Sequence, residues 1–375
     1  MILVLLVVAA ALAALGWPGV QRHRRALGPG ATLVAAACLA LAVLVPVAMA
    51  ALLAGLSWTL ALVVAALAAA GVSAVLREPG GAAAVTAARA EPRLLRAASL
   101  ALLLAAVAAF VVKVVRAPLW SWDHYAIWGV KARRLIGETG FDLAFLSWPE
   151  LEASRPDHPL GLPLSWLVLT LGRPPDAIDF QALHLLMGLA LLLLVRGAVR
   201  RATGSWAWGD LAAAMLALSP LYWDTAGVGL AELPLALWAA CGAGILLAAP
   251  GSRRTAAAGG VLLGFLPWVK TEGAMLGLLV VAGLLWALQG PAADRRRLAA
   301  AVVAGFATLS LGAWAVGRLV LPAGVSFTVG DWSGRAFARL PESGEIARFC
   351  LRDLLAWDWL LFWPILAIGW LVAIF

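Results

Sequence analysis

The feature that most constrains this chain is a series of apolar runs, each roughly 15–24 residues long and nearly free of charge. A helix of that length crosses a hydrocarbon core about 30 Å thick. Helix is the form that such a run must take, because each segment has to satisfy its own backbone hydrogen bonds in lipid. The sequence therefore predicts an all-α membrane protein with many spanning helices.

Composition agrees with this class of protein. Apolar residues make up 63% of the 375 residues, charged residues only 13%, and the mean hydropathy is +0.95. An ordinary soluble domain is about half apolar and a quarter charged. The chain leaves no room for a soluble catalytic domain, so any chemistry must occur at a membrane face. The three cysteines provide no disulfide framework, because Cys38 and Cys241 lie in apolar runs and Cys350 stands alone.

The net charge of +8 is concentrated in short clusters between apolar runs. Such clusters are typical of cytoplasmic loops under the positive-inside rule, which argues against nucleic acid as a partner. The clusters are Arg22, Arg24 and Arg25; Arg89, Arg93 and Arg96; Arg196, Arg200 and Arg201; Arg253 and Arg254; and Arg295, Arg296 and Arg297.

With these clusters inside the cell, the chain is predicted to cross the membrane about eleven times. The N-terminus then faces outward, Met1–Gly16 belongs to a first span rather than a signal peptide, and loops 116–179 and 321–354 lie outside. The predicted spans are 1–19, 31–52, 57–76, 97–115, 180–196, 206–221, 232–249, 256–269, 273–289, 298–320 and 355–374. Three regions follow: N-terminal helices with a cytoplasmic loop (1–96), a membrane core (97–320), and an outer loop with the last span (321–375).

The apolar segment Leu160–Gly172 is too short for a span and is predicted to be an interfacial or re-entrant helix on the outer surface. A second outer segment begins at Asp123 and has the spacing of an amphipathic helix in the membrane interface. Its cations can contact lipid headgroups or a phosphate-bearing substrate. Its apolar residues are Tyr125, Ile127, Trp128, Leu135 and Ile136, alternating with Lys131, Arg133 and Arg134.

Asp123 is the first candidate for chemistry, because it follows the fourth span closely and is flanked by Trp122 and Tyr125. A carboxylate at the membrane boundary suits a general base or a metal ligand. The structural alternative is a helix cap. Asp157 and His158 form a second polar cluster, either as the start of the next helix or as groups facing the same cavity.

Three more charged residues lie against apolar runs. Glu232 opens the seventh span, and Lys270 and Glu272 occupy the tip between two short spans. Charges at such depth usually face a polar cavity or one another, although a snorkelling Lys270 paired locally with Glu272 would also satisfy the pattern. All three are predicted on the same side as Asp123.

The motifs in this order resemble the GT-C-type membrane glycosyltransferases, which include protein O-mannosyltransferases and the lipid A aminoarabinose transferase. The similarity runs over roughly 97–320. Its motifs are an outer-loop Asp in W-D-H-Y-A-I-W-G-V-K-A, then H-P-L-G-L-P, the basic turn V-R-G-A-V-R-R-A-T-G, the segment G-L-A-E-L-P-L-A-L, and the hairpin G-F-L-P-W-V-K-T-E-G.

The resemblance implies a GT-C-like fold and an inverting transfer of a sugar from a polyprenyl-phosphate carrier to an envelope acceptor. The site would face outward from a bacterial inner (cytoplasmic) membrane. By this resemblance Asp123 is the base, while Lys131, Lys270 and Arg133 neutralise the leaving phosphate. Glu232 and Glu272 orient sugar hydroxyls or hold a lysine, and Asp157 and His158 line the substrate site.

The chain also departs from the family pattern. The H-P-L element lacks a second consecutive proline, and His124 rather than an acidic residue follows Asp123. The cofactor therefore stays unknown, with a divalent metal possible, and the acceptor is not specified. Two other functions stay open: a transporter or flippase of a lipid-linked saccharide, which predicts broken helices, and a non-catalytic scaffold that binds lipid headgroups.

Overall fold

In a computed structural model of the protein, the described residues are 2–77, 91–117, 123–137, 140–148, 158–248, 252–287, 292–320, 344–345 and 348. The predicted last span, 355–374, lies outside them, as does nearly all of the predicted loop 321–354.

The described chain is helical apart from a hairpin of two-residue strands, β1 (Ile136–Gly137) and β2 (Gly140–Phe141). A π-helix at Asp123–Gly129 and 3₁₀ turns at Gln21–His23 and Ala144–Ser147 complete the regular structure. The α-helices are α1 (Ile2–Val20), α2 (Arg24–Leu27), α3 (Pro29–Leu53), α4 (Trp58–Leu76), α5 (Arg93–Arg116), α6 (Val130–Arg134), α7 (Gly161–Leu169), α8 (Ala177–Thr203), α9 (Trp206–Leu218), α10 (Pro220–Gly227), α11 (Glu232–Ala248), α12 (Arg253–Gly264), α13 (Leu266–Val269), α14 (Gly273–Ala287) and α15 (Ala292–Val320).

The structure confirms an all-α membrane protein, but not the count of eleven spans. Helices occupy the first ten predicted positions. Six helical segments of the described chain are long and apolar enough to cross a membrane, or seven if α10 and α11 form one bent span. Helices α9 and α14 are apolar but shorter. The six segments are Leu3–Leu27, Pro29–Leu53, Trp58–Leu76, Arg93–Arg116, Ala177–Thr203 and Ala293–Val320.

Helix α8 runs through the centre of the site region, and its ends are specified by local sequence. The Asp176 side chain accepts a hydrogen bond from the Asp179 amide at 2.8 Å, and the Asp179 side chain accepts one from the Asp176 amide at 3.0 Å. This reciprocal capping box satisfies two amide groups that a helix start leaves open. At the other end Gly204 adopts φ +69°, a left-handed conformation that favours glycine as a helix terminator.

Helices α12 and α15 pack side by side through glycines. A Cβ atom on Gly260 would lie 2.3 Å from the Val302 carbonyl oxygen, and one on Gly305 would lie 2.6 Å from that of Ala257. Small residues allow two membrane helices to approach this closely. Because Gly260 meets Val302 while Gly264 meets Phe306, the two helices run in the same direction.

The predicted interfacial segment Leu160–Gly172 forms α7, which is too short to span, as expected. The surroundings of α7 differ from the prediction of a helix on the outer surface, because all nine of its residues are buried by protein. Neighbouring helices α3, α6 and α13 contact it. An apolar helix that cannot cross the membrane gains more by filling the space between spanning helices than by lying exposed.

The helices meet at two ends of the bundle. At the histidine end, defined by His124, His158 and His184, the Gln181 side chain donates to the carbonyls of Val114, Val115 and Ala117. At the arginine end, defined by Arg96, Arg196 and Arg200, helices α5 and α8 meet again around Trp206. From Gln181 to Arg200, α8 rises about 28 Å, nearly the thickness of a hydrocarbon core.

Most of the basic clusters predicted for cytoplasmic loops lie together at the arginine end. The Arg254 guanidinium donates to the Arg77 carbonyl, and His23 Nε2 lies 3.5 Å from the Thr255 hydroxyl. A Cβ on Gly28 would lie 3.3 Å from the Arg200 guanidinium. Positions far apart in sequence but alike in charge therefore share one end of the molecule.

Candidate functional site

The site residues predicted from the sequence fall on four segments of the histidine end. Asp123 is the first residue of the π-helix, and Lys131 and Arg133 lie on α6. His158 precedes α7, Glu232 begins α11, and Lys270 and Glu272 stand between α13 and α14. The Asp123 side chain and all of Asp157 lie outside the described part of the chain.

The segment after Asp123 is helical, as its spacing predicts, but it starts as a π-helix. Gly129 is required there, because a Cβ at this position would lie 2.7 Å from the His124 carbonyl oxygen. The buried face carries His124, Ile127, Trp128 and Leu135, while Arg133 and Arg134 are exposed. Single-turn π segments are frequent at functional sites.

Lys131 lies on the buried face and is completely shielded from solvent. Its Nζ donates a hydrogen bond to the His158 carbonyl at 3.1 Å and lies 5.8 Å from the centre of the Trp128 ring. The Trp128 and His158 rings are 5.1 Å apart. A buried ammonium that bonds a carbonyl and faces an indole holds two segments together, so Lys131 joins α6 to the residue that leads into α7.

Next to this contact lies a buried group of rings from three elements. The His124 ring is 4.5 Å from that of Phe180 and 6.0 Å from that of His184. Trp166 of α7 contacts both Phe180 and His184, at 4.8 and 5.5 Å. These edge-to-face and tilted ring contacts fix the π-helix against α7 and α8.

His124 is neutral at physiological pH. Its burial lowers the pKa to about 3, and repulsion from His184 and Arg133 acts in the same direction. A contact with the Gly229 backbone opposes the shift only in part. Neutral imidazole can accept as well as donate hydrogen bonds, so this ring brings a polar group to the site without adding a charge.

The two histidines also contact a sharp bend between two helices. Helices α10 and α11 meet at 112° across residues 228–231. The backbone of Gly229 faces His124, and that of Leu230 faces His184. Gly229 has φ +80°, which glycine adopts without steric cost. The amides of Val228 and Leu230 donate to the carbonyls of Asp224 and Thr225, and the two imidazoles bring further polar groups to the backbone of the break.

Immediately after the bend, Glu232 binds Lys270. The Lys270 Nζ and a Glu232 carboxylate oxygen are 2.5 Å apart, and both side chains retain some exposure. Glu272 is exposed, and its backbone carbonyl accepts from the Leu276 amide in the first turn of α14. The local Lys270–Glu272 pair considered from the sequence is therefore not the ion pair of the described structure; Lys270 pairs across helices instead.

Gly161 connects these two groups of residues. A Cβ on Gly161 would lie 2.4 Å from the Trp268 carbonyl oxygen, so the start of α7 and the end of α13 are in backbone contact. His158 lies three residues before Gly161, and Lys270 two residues after Trp268. The Lys131–His158 contact and the Lys270–Glu232 pair thus flank a single close approach. Only glycine permits it, because any side chain would displace a helix.

Arg133 is the exposed cation of this end nearest to the buried rings. Its Nε donates to the Pro175 carbonyl at 3.2 Å, and its guanidinium carbon is 5.6 Å from the centre of the Phe180 ring. Together with Lys270 it presents positive charge at the surface of the histidine end, whereas Lys131 lies behind that surface.

Two residues of this region were not singled out from the sequence. His184 stands inside the predicted fifth span, and ionisable residues in spans are functional candidates by default; that signal was available. Gln181 carried no comparable signal, because its role depends on the end of α5 lying beside the start of α8. Among the described residues no group of three or more His, Cys, Asp or Glu side chains is arranged to hold a metal ion.

No protein-family model matches the chain, and neither a curated protein nor a solved structure matches it.

Proposed function

We propose that the chain is a membrane glycosyltransferase, which moves a sugar from a polyprenyl-phosphate carrier to an envelope acceptor at the outer face of the cytoplasmic membrane. The observation that carries the proposal is the Lys270–Glu232 ion pair beside the α10–α11 bend. The π-helix that begins at Asp123 packs against the same bend through His124. A carboxylate-bearing segment and surface cations therefore share one end of the bundle.

In the proposed reaction the acceptor hydroxyl attacks the anomeric carbon of the sugar. The bond from that carbon to the phosphate oxygen breaks, and the polyprenyl phosphate leaves with the electron pair. Asp123 accepts the hydroxyl proton, which is general-base help. Lys270 and Arg133 stabilise the charge that develops on the phosphate, and Glu232 holds Lys270 in position. Lys131 adds positive potential from behind and orders the segment carrying Asp157 and His158.

The decisive experiment compares Asp123→Asn with the wild type, both purified and supplied with polyprenyl-phosphate sugars. We expect the substitution to reduce turnover at least 100-fold, as loss of a general base does, with carrier binding retained. The matched control is Asp142→Asn in the same outer loop, where the side chain accepts from the Ala144 amide and an amide oxygen can replace it. Unchanged turnover in Asp123→Asn would refute the mechanism, and absence of carrier binding would refute the class.

A second function, transport or flipping of a lipid-linked saccharide, is favoured by one specific observation, the 112° break between α10 and α11. Transporters often place substrate sites at broken helices. Proteoliposomes containing a fluorescent polyprenyl-phosphate sugar separate the two functions. A transporter moves the lipid between leaflets and leaves the sugar–phosphate bond intact, whereas a transferase breaks that bond only when an acceptor is supplied. A scaffold would do neither.

A further inference from the structure

The arginine end contains a cluster that the proposed sugar transfer does not use. Three guanidinium groups from α5 and α8 surround the indole of Trp206, the first residue of α9. Their central carbons lie 3.6 Å (Arg200), 4.8 Å (Arg196) and 5.9 Å (Arg96) from the ring centre. One aromatic face cannot balance three positive charges, because each cation–π contact contributes only about 0.5–2 kcal/mol.

Carboxylates balance this charge only in part. Asp210 is almost fully buried and binds Arg196 at 2.5 Å, while also facing the Ser99 hydroxyl at 3.5 Å. Glu91 lies beside the start of α9, but its carboxylate accepts a hydrogen bond from the Ala207 amide in the first turn of that helix. Within the described ranges, no ion pair of 4.0 Å or less joins an Asp or Glu to the Arg96 or Arg200 guanidinium.

The geometry leaves these two arginines accessible. Arg96 is exposed and Arg200 half-buried. Gly28 has φ +89°, and a Cβ at this position would lie 3.3 Å from the Arg200 guanidinium, so glycine leaves this side of the group uncrowded. The cluster stands about 28 Å along α8 from Gln181, which is the depth of the opposite headgroup layer. Trp208, exposed in the same first turn of α9, is typical of that layer.

We propose that Arg96 and Arg200 bind one phosphate group, with Arg196 held by Asp210 as a positioning residue and Trp206 as the platform. Guanidinium groups suit this ligand, because their planar donors match phosphate oxygens in pairs. The phosphate comes either from an anionic lipid headgroup or from a soluble phosphate compound. Basic pockets between membrane helices bind lipid phosphates in this way. The proposal does not depend on sugar transfer, because the site lies at the other end of the bundle.

The test places the full-length protein in nanodiscs of phosphatidylcholine with a minor fraction of phosphatidylglycerol. Phosphatidylglycerol retained after gentle extraction is then counted by native mass spectrometry. We expect the wild type to retain at least five-fold more of it than the double variant Arg96→Gln/Arg200→Gln. The matched control, Arg295→Gln/Arg296→Gln, removes the same charge from exposed positions on α15 and should retain as much as the wild type.

A second arm identifies the source of the phosphate. Inorganic phosphate is titrated into the protein in pure phosphatidylcholine, and the unfolding temperature is followed. Stabilisation by phosphate that requires Arg96 and Arg200 indicates a soluble ligand, and selective lipid retention without it indicates a headgroup; both support the site. Equal retention by all variants, together with no effect of phosphate, would overturn it.

Folding of the double variant is checked by its unfolding temperature in pure phosphatidylcholine. If it does not fold, Arg200→Lys replaces it in both arms. This variant keeps the charge but loses the paired donors, so we expect weaker retention than in the wild type. Retention equal to that of the wild type would count against the proposed geometry.

Discussion

Lys270 and Glu232 form an ion pair with 2.5 Å between Nζ and the carboxylate oxygen, although 38 residues separate them. The pair joins the start of α11, directly after the bend, to the turn between α13 and α14. It therefore connects the two segments whose charges stand against apolar runs, at the end of the bundle that contains His124, His158 and His184.

This ion pair provides a direct stability test. We expect Glu232→Gln and Lys270→Met to be coupled by about 0.5–1 kcal/mol in a double-mutant cycle, because both side chains are partly exposed and solvent weakens the attraction. Unfolding in denaturant gives the four free energies. The exposed Arg297–Asp294 pair, at 4.0 Å, is the control and should show almost no coupling. Equal coupling in the two pairs would show that the Lys270–Glu232 pair contributes no more to stability than an exposed surface pair.

The contact of Gly161 with Trp268 predicts that even one methyl group is not tolerated. Gly161→Ala should destabilise the protein by about 1–3 kcal/mol, because its Cβ would collide with a backbone oxygen rather than a mobile side chain. The control is Gly244→Ala in α11, where a Cβ meets nothing within 4 Å. There we expect no loss, or a small gain from helix propensity. Thermal unfolding of both variants is the measurement; similar losses would rule out the steric explanation.

The low pKa of His124, about 3 against 6.5 for a free histidine, predicts a specific pH dependence of stability. Below pH 6.5 the His124 ring is protonated in the unfolded chain but stays neutral in the folded chain. The folded state therefore loses stability as the pH falls from 6.5 toward 3. The slope for this one group is at most about 1.4 kcal/mol per pH unit.

Replacing His124 by Gln removes this contribution. Unfolding free energies of wild type and variant, measured from pH 7 to 4.5, should therefore converge on acidification. Parallel curves would show that the His124 ring is not buried as a neutral group.

The proposed orientation can be tested by cysteine labelling. Cys38 and Cys241 are buried, so replacing Cys350 by Ala gives an unreactive background. Single cysteines are then placed at Asp224, exposed at the histidine end, and at Arg295, exposed in the first turn of α15. With intact cells, an impermeant maleimide should label only position 224. Labelling of position 295 alone would invert the orientation and place the proposed site on the cytoplasmic side.

Local sequence determined the helices of this protein, since their apolar runs and end signals act over a few residues. The predicted span 57–76 is the helix Trp58–Leu76, which begins after a Ser57 cap, and 97–115 lies within Arg93–Arg116. The clustering of arginines between the apolar runs likewise follows from sequence. Helix α3 continues through Pro46, whereas the bend between α10 and α11 falls at residues 228–231.

Only the tertiary structure decided which charges meet and which are buried. The burial of Lys131, the partner of Lys270, the rings around His184 and the arginines around Trp206 all depend on segments distant in sequence. Such contacts are set by how closely whole helices pack, at points such as Gly161 and Gly305. A single sequence specifies the apolar length of each helix, whereas the pairing of polar groups between helices follows from packing in three dimensions.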